Sequence, residues 1–392
     1  MDDFSRLDAI TAEQLRAAGS TKWTTHPGTI GAWIAEMDFG IAEPITRALH
    51  EVVDQARFGY NPPSLVDDLG RAYAEFSARR YGLAPDPAMV RPLPDVLAGM
   101  AAIIDHYTPA GSPVIVPTPA CMPFLLLPDW WGDREVIQVP MARDGDRWVY
   151  DLDAIGAAFD AGAHLLTLCN PHNPIGRVLT REEMLAIADV VEAKGGLVFS
   201  DEIHAPLVYP GSQHVPYASL DERTAAHTIT ATSASKSFNL AGLKCAQIVF
   251  SNPEHRATWA KAGRWVEQGV SLPGIVANIT AYREGDPWLL QTLAYLDRNR
   301  KALTGLVAEK LPGVRYCEPE GTYLALLDFR GRADALGAHA DNPAALLAEK
   351  AGVVLTPGPA CGEAAAGFAR LNFGTPLPVL QEAVRRMGIA LG

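Results

Sequence analysis

Three short stretches hold residue types that could act together on one reactant. In Ser233-Ala234-Ser235-Lys236-Ser237-Phe238-Asn239 a single lysine stands among small hydroxyl residues, just after a buried apolar run. An amine at such a place can form a Schiff base with an aldehyde, and partial burial near other cations lowers its pKa for that task. The plainer reading is a lysine that only carries its charge to the surface. Asp201 closes the run Gly196-Leu197-Val198-Phe199-Ser200. Its carboxylate could keep a pyridine nitrogen protonated by ion pairing, or simply cap a helix. Asn173 lies in Asn170-Pro171-His172-Asn173-Pro174-Ile175-Gly176, where two prolines stiffen a turn able to present its amide to a phenolic oxygen. An ordinary Asn-Pro turn would look the same.

The surrounding elements must bring these stretches together. Apolar runs at 113–116, 135–139, 164–168, 196–200, 227–231 and 245–250 read as strands. Between two of them, Thr180-Arg181-Glu182-Glu183 is a capping box ahead of Met184, Leu185, Ile187, Ala188, Val190 and Val191 at helical spacing. Strand, helix, strand is the grammar of a parallel sheet, and ligands of such sheets bind at the carboxyl ends of the strands. Asn170, Asn173, Asp201 and the Ser233–Lys236 stretch all fall at those ends. After about Pro287 the pattern changes to a long amphipathic helix (288–311), a strand (322–328), a helix near 344–350 and a final helix near 377–389. The expected fold class is α/β: a large domain over 45–285 with a mostly parallel sheet flanked by helices, and a smaller α+β domain over 286–392. Residues 1–44 read as an arm joined to part of the small domain, with a short helix near Ala12–Ala18. Such an arm lies either across a partner subunit or over its own domain.

The three elements in this order, N-P-x-N-P-x-G, then D-E-x-x, then S-x-S-K, resemble the signature of fold-type I pyridoxal 5′-phosphate (PLP) enzymes, the aminotransferase class I/II superfamily. The resemblance runs from about Trp33 to Phe373. It implies a fold-type I PLP-dependent transferase architecture and a homodimer with active sites shared between subunits. It further implies that Lys236 links to the cofactor, Asp201 pairs with its pyridine nitrogen and Asn173 bonds its phenolic oxygen. His204 then stands where a tyrosine is usual. The phosphate is expected on the N–H groups of Val96 and Leu97 at a helix start, helped by Ser233, Ser235 and Lys244, with Tyr60 reaching over from the other subunit. Arg370, in Gly367-Phe368-Ala369-Arg370-Leu371-Asn372, matches the arginine whose planar fork clamps a substrate α-carboxylate, with Asn173 beside it; a structural salt bridge is the alternative.

Finer features resemble the cystathionine β-lyase branch, the C–S lyases of the MalY/PatB type: Trp33-Ile34-Ala35-Glu36-Met37-Asp38-Phe39, Phe58-Gly59-Tyr60, Asp201-Glu202-Ile203-His204, Ser235-Lys236-Ser237-Phe238-Asn239 and Thr322-Tyr323-Leu324-Ala325. That branch implies β-elimination from cysteine S-conjugates or cystathionine-like amino acids, with Lys236 abstracting the α-proton and Asp201 maintaining the electron sink. The competing readings are an aminotransferase, a decarboxylating oxidative deaminase of an S-substituted cysteine as in lincosamide-type pathways, and a non-catalytic scaffold. Four positions depart from the family pattern. Lys244 replaces an arginine, Leu326 a common aromatic, and Cys121 the tyrosine that stacks on the cofactor ring. Asp95 puts a carboxylate beside the phosphate, a clash expected to be avoided by capping the helix with its side chain turned away.

Composition narrows the partners. The 392 residues carry 33 Lys+Arg against 45 Asp+Glu, a formal charge of −12, and no basic cluster suited to nucleic acid. Cys121, Cys169, Cys245, Cys317 and Cys361 are odd in number and widely spaced, so neither a disulfide framework nor a zinc site is expected. His26, His106 and His214 lack ligand-like spacing. The acidic start Met1-Asp2-Asp3-Phe4-Ser5 does not read as a signal peptide, and no apolar run approaches the roughly 18 residues of a membrane span. The expectation is a cytoplasmic protein that binds a small amino acid.

Overall fold

The structure is a computed structural model describing residues 4–392; Met1 to Asp3, part of the acidic start, lie outside the described residues. A seven-stranded sheet forms the centre, in the spatial order Val90–Leu93, Ala246–Phe250, Thr228–Thr232, Leu197–Asp201, Leu165–Cys169, Val114–Thr118 and Val136–Pro140. The last five run parallel. Ala246–Phe250 is antiparallel to both of its neighbours.

Strands covered on both faces read as continuous apolar runs, and neighbouring side chains part to opposite sides. Phe199 packs with Ile229, Ile248, Met100 and Ile103 on one face. Val198 packs with Leu166, Met184, Ile187 and Val191 on the other. Helix Arg181–Lys194 begins at the expected capping box, with Thr180 accepting from Glu183 N and the Glu183 side chain returning to Thr180 N, and it ends at Gly195 in the left-handed region (φ 62°).

Each expected strand lies about one residue further along the chain than the apolar run suggested. Asp201 is therefore the last residue of its strand rather than the first beyond it. Within residues 45–285, two strand features were not anticipated. Val90–Leu93 contains Arg91 and Pro92 and lacks an apolar pattern, but it sits on the sheet edge, where proline is tolerated and Arg91 reaches Glu267 at 2.8 Å. The hairpin of Ala142–Asp144 and Arg147–Val149 is mostly solvent-facing.

Beyond helix Asp286–Lys310 an antiparallel sheet orders Arg315–Tyr316, Leu324–Asp328, Phe368–Asn372 and Thr356–Pro357. The helix expected near 344–350 is a short α-turn, Pro343–Leu346, continued by a π-turn over Leu347–Ala351. The described part of the arm packs on this region of its own chain. Ile30–Gly31 pairs with Val353–Val354, and Asp8 takes hydrogen bonds from Tyr295 and Arg298 at 2.6 and 2.5 Å. Helix Ala12–Ala18 is present as expected. No helix among the described residues is long and apolar enough to cross a membrane.

Candidate active site

The strand register decides which residues meet at the rim. Asp201 pairs with Cys169 on one side and Ala231 on the other, so the chain leaves three adjacent strands at one level and delivers Asn173, Asp201 and Lys236 to the same place. Ser233 caps the short helix Ala234–Ser237 by accepting from Ser235 N at 2.9 Å, while its hydroxyl donates to Cys245 O at 2.8 Å. Lys236 Nζ donates to Ala35 O at 3.0 Å. Burial lowers the pKa of this amine, and the Arg370 charge acts in the same direction.

Asp201 is 5% exposed; its Oδ1 accepts from Ile203 N at 3.1 Å and its Oδ2 takes a long contact from Cys169 Sγ at 3.8 Å. Burial pushes its carboxyl up to about 7, although Lys236 pulls the other way. Among the described residues no cation forms an ion pair with it. His204 is driven in the opposite sense: burial first, then the charges of Lys236 and Arg370, take the imidazole down to about 3, so it stays neutral at ordinary pH. Its Nδ1 is buried without a hydrogen-bond partner.

Arg370, on Phe368–Asn372, donates through Nη1 to Asn173 Oδ1 at 3.1 Å and through Nη2 to Trp33 O and Thr356 Oγ1 at 2.7 and 2.9 Å. The segment 33–38 thus runs as a strap whose carbonyls accept from Arg370 at Trp33, Lys236 at Ala35 and Lys22 at Glu36. Tyr323 adds its hydroxyl to Ala35 O at 2.9 Å. Asn239, in the left-handed region at φ 61°, clamps the strap by accepting from Met37 N at 3.0 Å and donating to Met37 O at 2.9 Å. Farther along, Asp38 is locked by buried Lys22 at 2.8 Å and by Trp23 Nε1 at 2.9 Å.

Eleven of the twelve residues singled out from the sequence line one cavity of about 310 Å³: Val96, Leu97, Cys121, Asn173, Asp201, His204, Ser233, Ser235, Lys236, Lys244 and Arg370. Tyr60 is apart from it and 94% exposed. Cys121 precedes helix Met122–Gly132, and burial raises its thiol to about 11. At the opposite end, helix Val96–Tyr107 opens onto the cavity. Asp95 Oδ1 accepts from Ala98 N at 2.9 Å, which is the capping anticipated, but Oδ2 is not turned away: it meets Lys244 Nζ at 3.0 Å.

His172 and the strap carbonyls escaped the sequence analysis, and His214 entered it only as lacking ligand-like spacing. His172 Nε2 donates to Pro119 O at 2.8 Å while Nδ1 accepts from Tyr150 OH at 2.8 Å, and burial takes the ring down to about 4. It ties the Asn173 turn to the loop carrying Cys121. Its position inside a doubled Asn-Pro motif was the available signal. His214 is buried against Glu202 Oε2 at 3.1 Å, directly behind Asp201 in the chain. The carbonyls of Trp33 and Ala35 had no signal, since backbone atoms have no residue type.

A family model, aminotransferase class I and II, matches residues 34–387. A cystathionine β-lyase of Corynebacterium glutamicum is 39% identical over 97% of this chain and 98% of its own. Cystathionine β-lyase PatB of Bacillus subtilis is 31% identical over 97% and 98% of the two chains. The solved PLP-bound C–S lyase from Staphylococcus hominis superposes with a TM-score of 0.90 at 25% identity, covering 98% of each chain. With the parallel sheet, its polar rim and a match across nearly the full length, the chain belongs to the aminotransferase class I and II family.

Proposed function

We propose that this chain is a PLP-dependent C–S β-lyase that cleaves cysteine S-conjugates or cystathionine-like amino acids to a thiol, pyruvate and ammonia. The observation that carries this reading is the convergence of Lys236, Asp201 and the Asn173–Arg370 pair in one cavity that ends at a helix N-terminus. The cavity suits the cofactor at both ends. Asp201 is a buried carboxyl raised to about 7 with no ion pair, the kind of group a ring N–H cation would hold ionised. At the other end the first N–H groups of the helix, at Val96 and Leu97, have no intrahelical partner, and Ser233, Ser235 and Lys244 surround them.

The cofactor, when bound, would supply an electron sink conjugated with the substrate's Cα through its α-amino nitrogen. The chain's own groups do the rest. Arg370 offers a planar fork to the α-carboxylate, with the Asn173 amide beside it. Lys236, its pKa lowered by burial, is more often an uncharged amine than an exposed lysine and accepts the proton from Cα. Asp201 holds a protonated ring nitrogen by ion pairing. Neutral His204 adds no competing cation. With the proton on Lys236, the former Cα–H pair becomes the Cα=Cβ bond as the Cβ–S bond breaks; sulfur leaves with the Cβ–S electrons and takes up a proton, and the three-carbon enamine left behind reacts with water to give pyruvate and ammonia.

The active unit in this reading is a homodimer. Tyr60, outside the lining of its own cavity, is exposed, as are Phe58 and Trp265, and completes the neighbour's phosphate site. Mixed dimers of Lys236→Ala and Tyr60→Phe subunits then regain one repaired site, whereas no recovery after verified subunit exchange places the site within one chain. The division into an arm to 44, a large domain over 45–285 and a small domain over 286–392 is part of the same reading, as is a reducing, cytoplasmic setting for five unpaired cysteines.

The test is a product assay on S-substituted cysteines that follows thiol, pyruvate, carbon dioxide and oxygen together. Equal thiol and pyruvate with no carbon dioxide is the expected result. Carbon dioxide release with oxygen uptake identifies oxidative deamination instead, and turnover that requires a 2-oxo acid identifies a transaminase.

A further inference from the structure

Asp95 and Lys244 do two things at once at the outer end of the cavity. Asp95 caps helix Val96–Tyr107 through Oδ1, which satisfies Ala98 N and leaves the N–H groups of Val96 and Leu97 free to bind an anion. Through Oδ2 the same carboxylate holds Lys244 Nζ at 3.0 Å. The lysine reaches it from a backbone in the left-handed region, φ 49°, where a side chain other than glycine or asparagine is uncommon and costs conformational energy. Both side chains line the cavity where the phosphate is read to bind. The cation of the cup is thus matched by a carboxylate, and a phosphate monoester, carrying about −1.5 to −2 at neutral pH, meets a cup whose two side-chain charges cancel.

We propose that Asp95 is a competitor for Lys244 built into the phosphate cup: it weakens the grip on the cofactor phosphate, so that the cofactor is held chiefly at the Lys236 end and exchanges with free PLP. This rests on the cofactor reading above and adds a specificity-determining residue to it. The cap and the charge are separable, because asparagine and serine cap helices about as well as aspartate.

The experiment measures equilibrium uptake of PLP, and of pyridoxal, which lacks the phosphate, by the apo forms of the wild type, Asp95→Asn and Asp95→Ser, followed by absorbance. Removing one carboxylate a few ångströms from the phosphate in a half-exposed cleft is expected to tighten PLP binding on the order of tenfold. Pyridoxal binding is expected to stay at its wild-type value, and the tightened PLP binding to fall more steeply with salt than in the wild type. Unchanged or weaker PLP binding in both variants overturns the proposal and leaves Asp95 as a cap that positions Lys244. An equal gain for pyridoxal also overturns it, because the effect would then not act on the phosphate. If wild-type protein takes up neither compound, the cofactor reading itself fails.

Discussion

The two ends of the cavity are built on opposite principles. At the inner end Asp201 and Arg370 are each 5% exposed and His204 1%, and burial moves Lys236, Asp201 and His204 away from their ordinary pKa values. At the outer end the side chains of Lys244 and Asp95 are 60% and 41% exposed and pair with each other. Moving a proton requires groups whose charged forms have been made costly, and only removal from water does that. Holding an anion requires N–H groups and hydroxyls aimed at one point, which work at a wet rim, where an exposed charge pair adjusts the affinity. The inner end is therefore expected to govern rate, and the outer end occupancy.

The largest effect that would sharpen this contrast is at Lys236. Lys236→Ala removes the proposed base, and turnover should fall by at least about 10³-fold even at saturating PLP. Steady-state rates measured across a PLP titration decide it; residual activity near wild type would break the division and the assignment together. Lys244→Met, at the outer end, is expected to raise the PLP concentration for half-saturation by about tenfold, with a much smaller change in the saturated rate. A collapse of the saturated rate would show that the two ends are not separable.

Asp201 tests the inner end through stability rather than rate. Its folded pKa of about 7 lies above the ordinary 3.8, so below pH 3.8 the group is protonated in both states and costs nothing. Between those values only the unfolded state loses the proton, and stability falls as pH rises, the whole loss being present above pH 7. Three pKa units correspond to about 4 kcal/mol, an upper bound for the apo protein. Apo Asp201→Asn should therefore melt above the wild type at pH 8, with the gap closing as pH falls toward 4. Parallel melting curves across that range would mean that Asp201 is hydrated or paired when the protein is free in solution.

Cys121 gives the smallest expected effect. The family's stacking tyrosine contributes on the order of 1 kcal/mol beyond its buried area, whereas a thiol leaves room above the ring. Cys121→Tyr should keep cofactor affinity and lower kcat/KM for a bulky cysteine conjugate by about tenfold relative to a small one. An unchanged ratio removes Cys121 from substrate selection.

The strands were legible wherever both faces are buried. Leu165–Cys169 and Leu197–Asp201 are largely apolar and almost wholly buried, whereas Val90–Leu93 needed no apolar run on the sheet edge. Lys236, Asp201 and Asn173 each had an ordinary reading alone; they were legible together because N-P-x-N-P-x-G, D-E-x-x and S-x-S-K in that order resemble the signature of PLP enzymes. The strap was only half legible: Trp33 to Phe39 stood out as a motif, but what it contributes is the carbonyls of Trp33 and Ala35, and side-chain identity does not encode where a carbonyl points.

By itself the sequence determined the alternation of buried runs and helices, the order of the reactive residues, and hence a parallel sheet with its polar rim. Those follow from local periodicity and from where each run ends. Only the tertiary structure decided that Arg370 meets Asn173 across 197 residues, that Lys244 meets Asp95 across 149, and that Asp201 loses its water while Lys244 keeps its own. Solvent exclusion is a property of everything packed around a group, and no stretch of chain carries it alone.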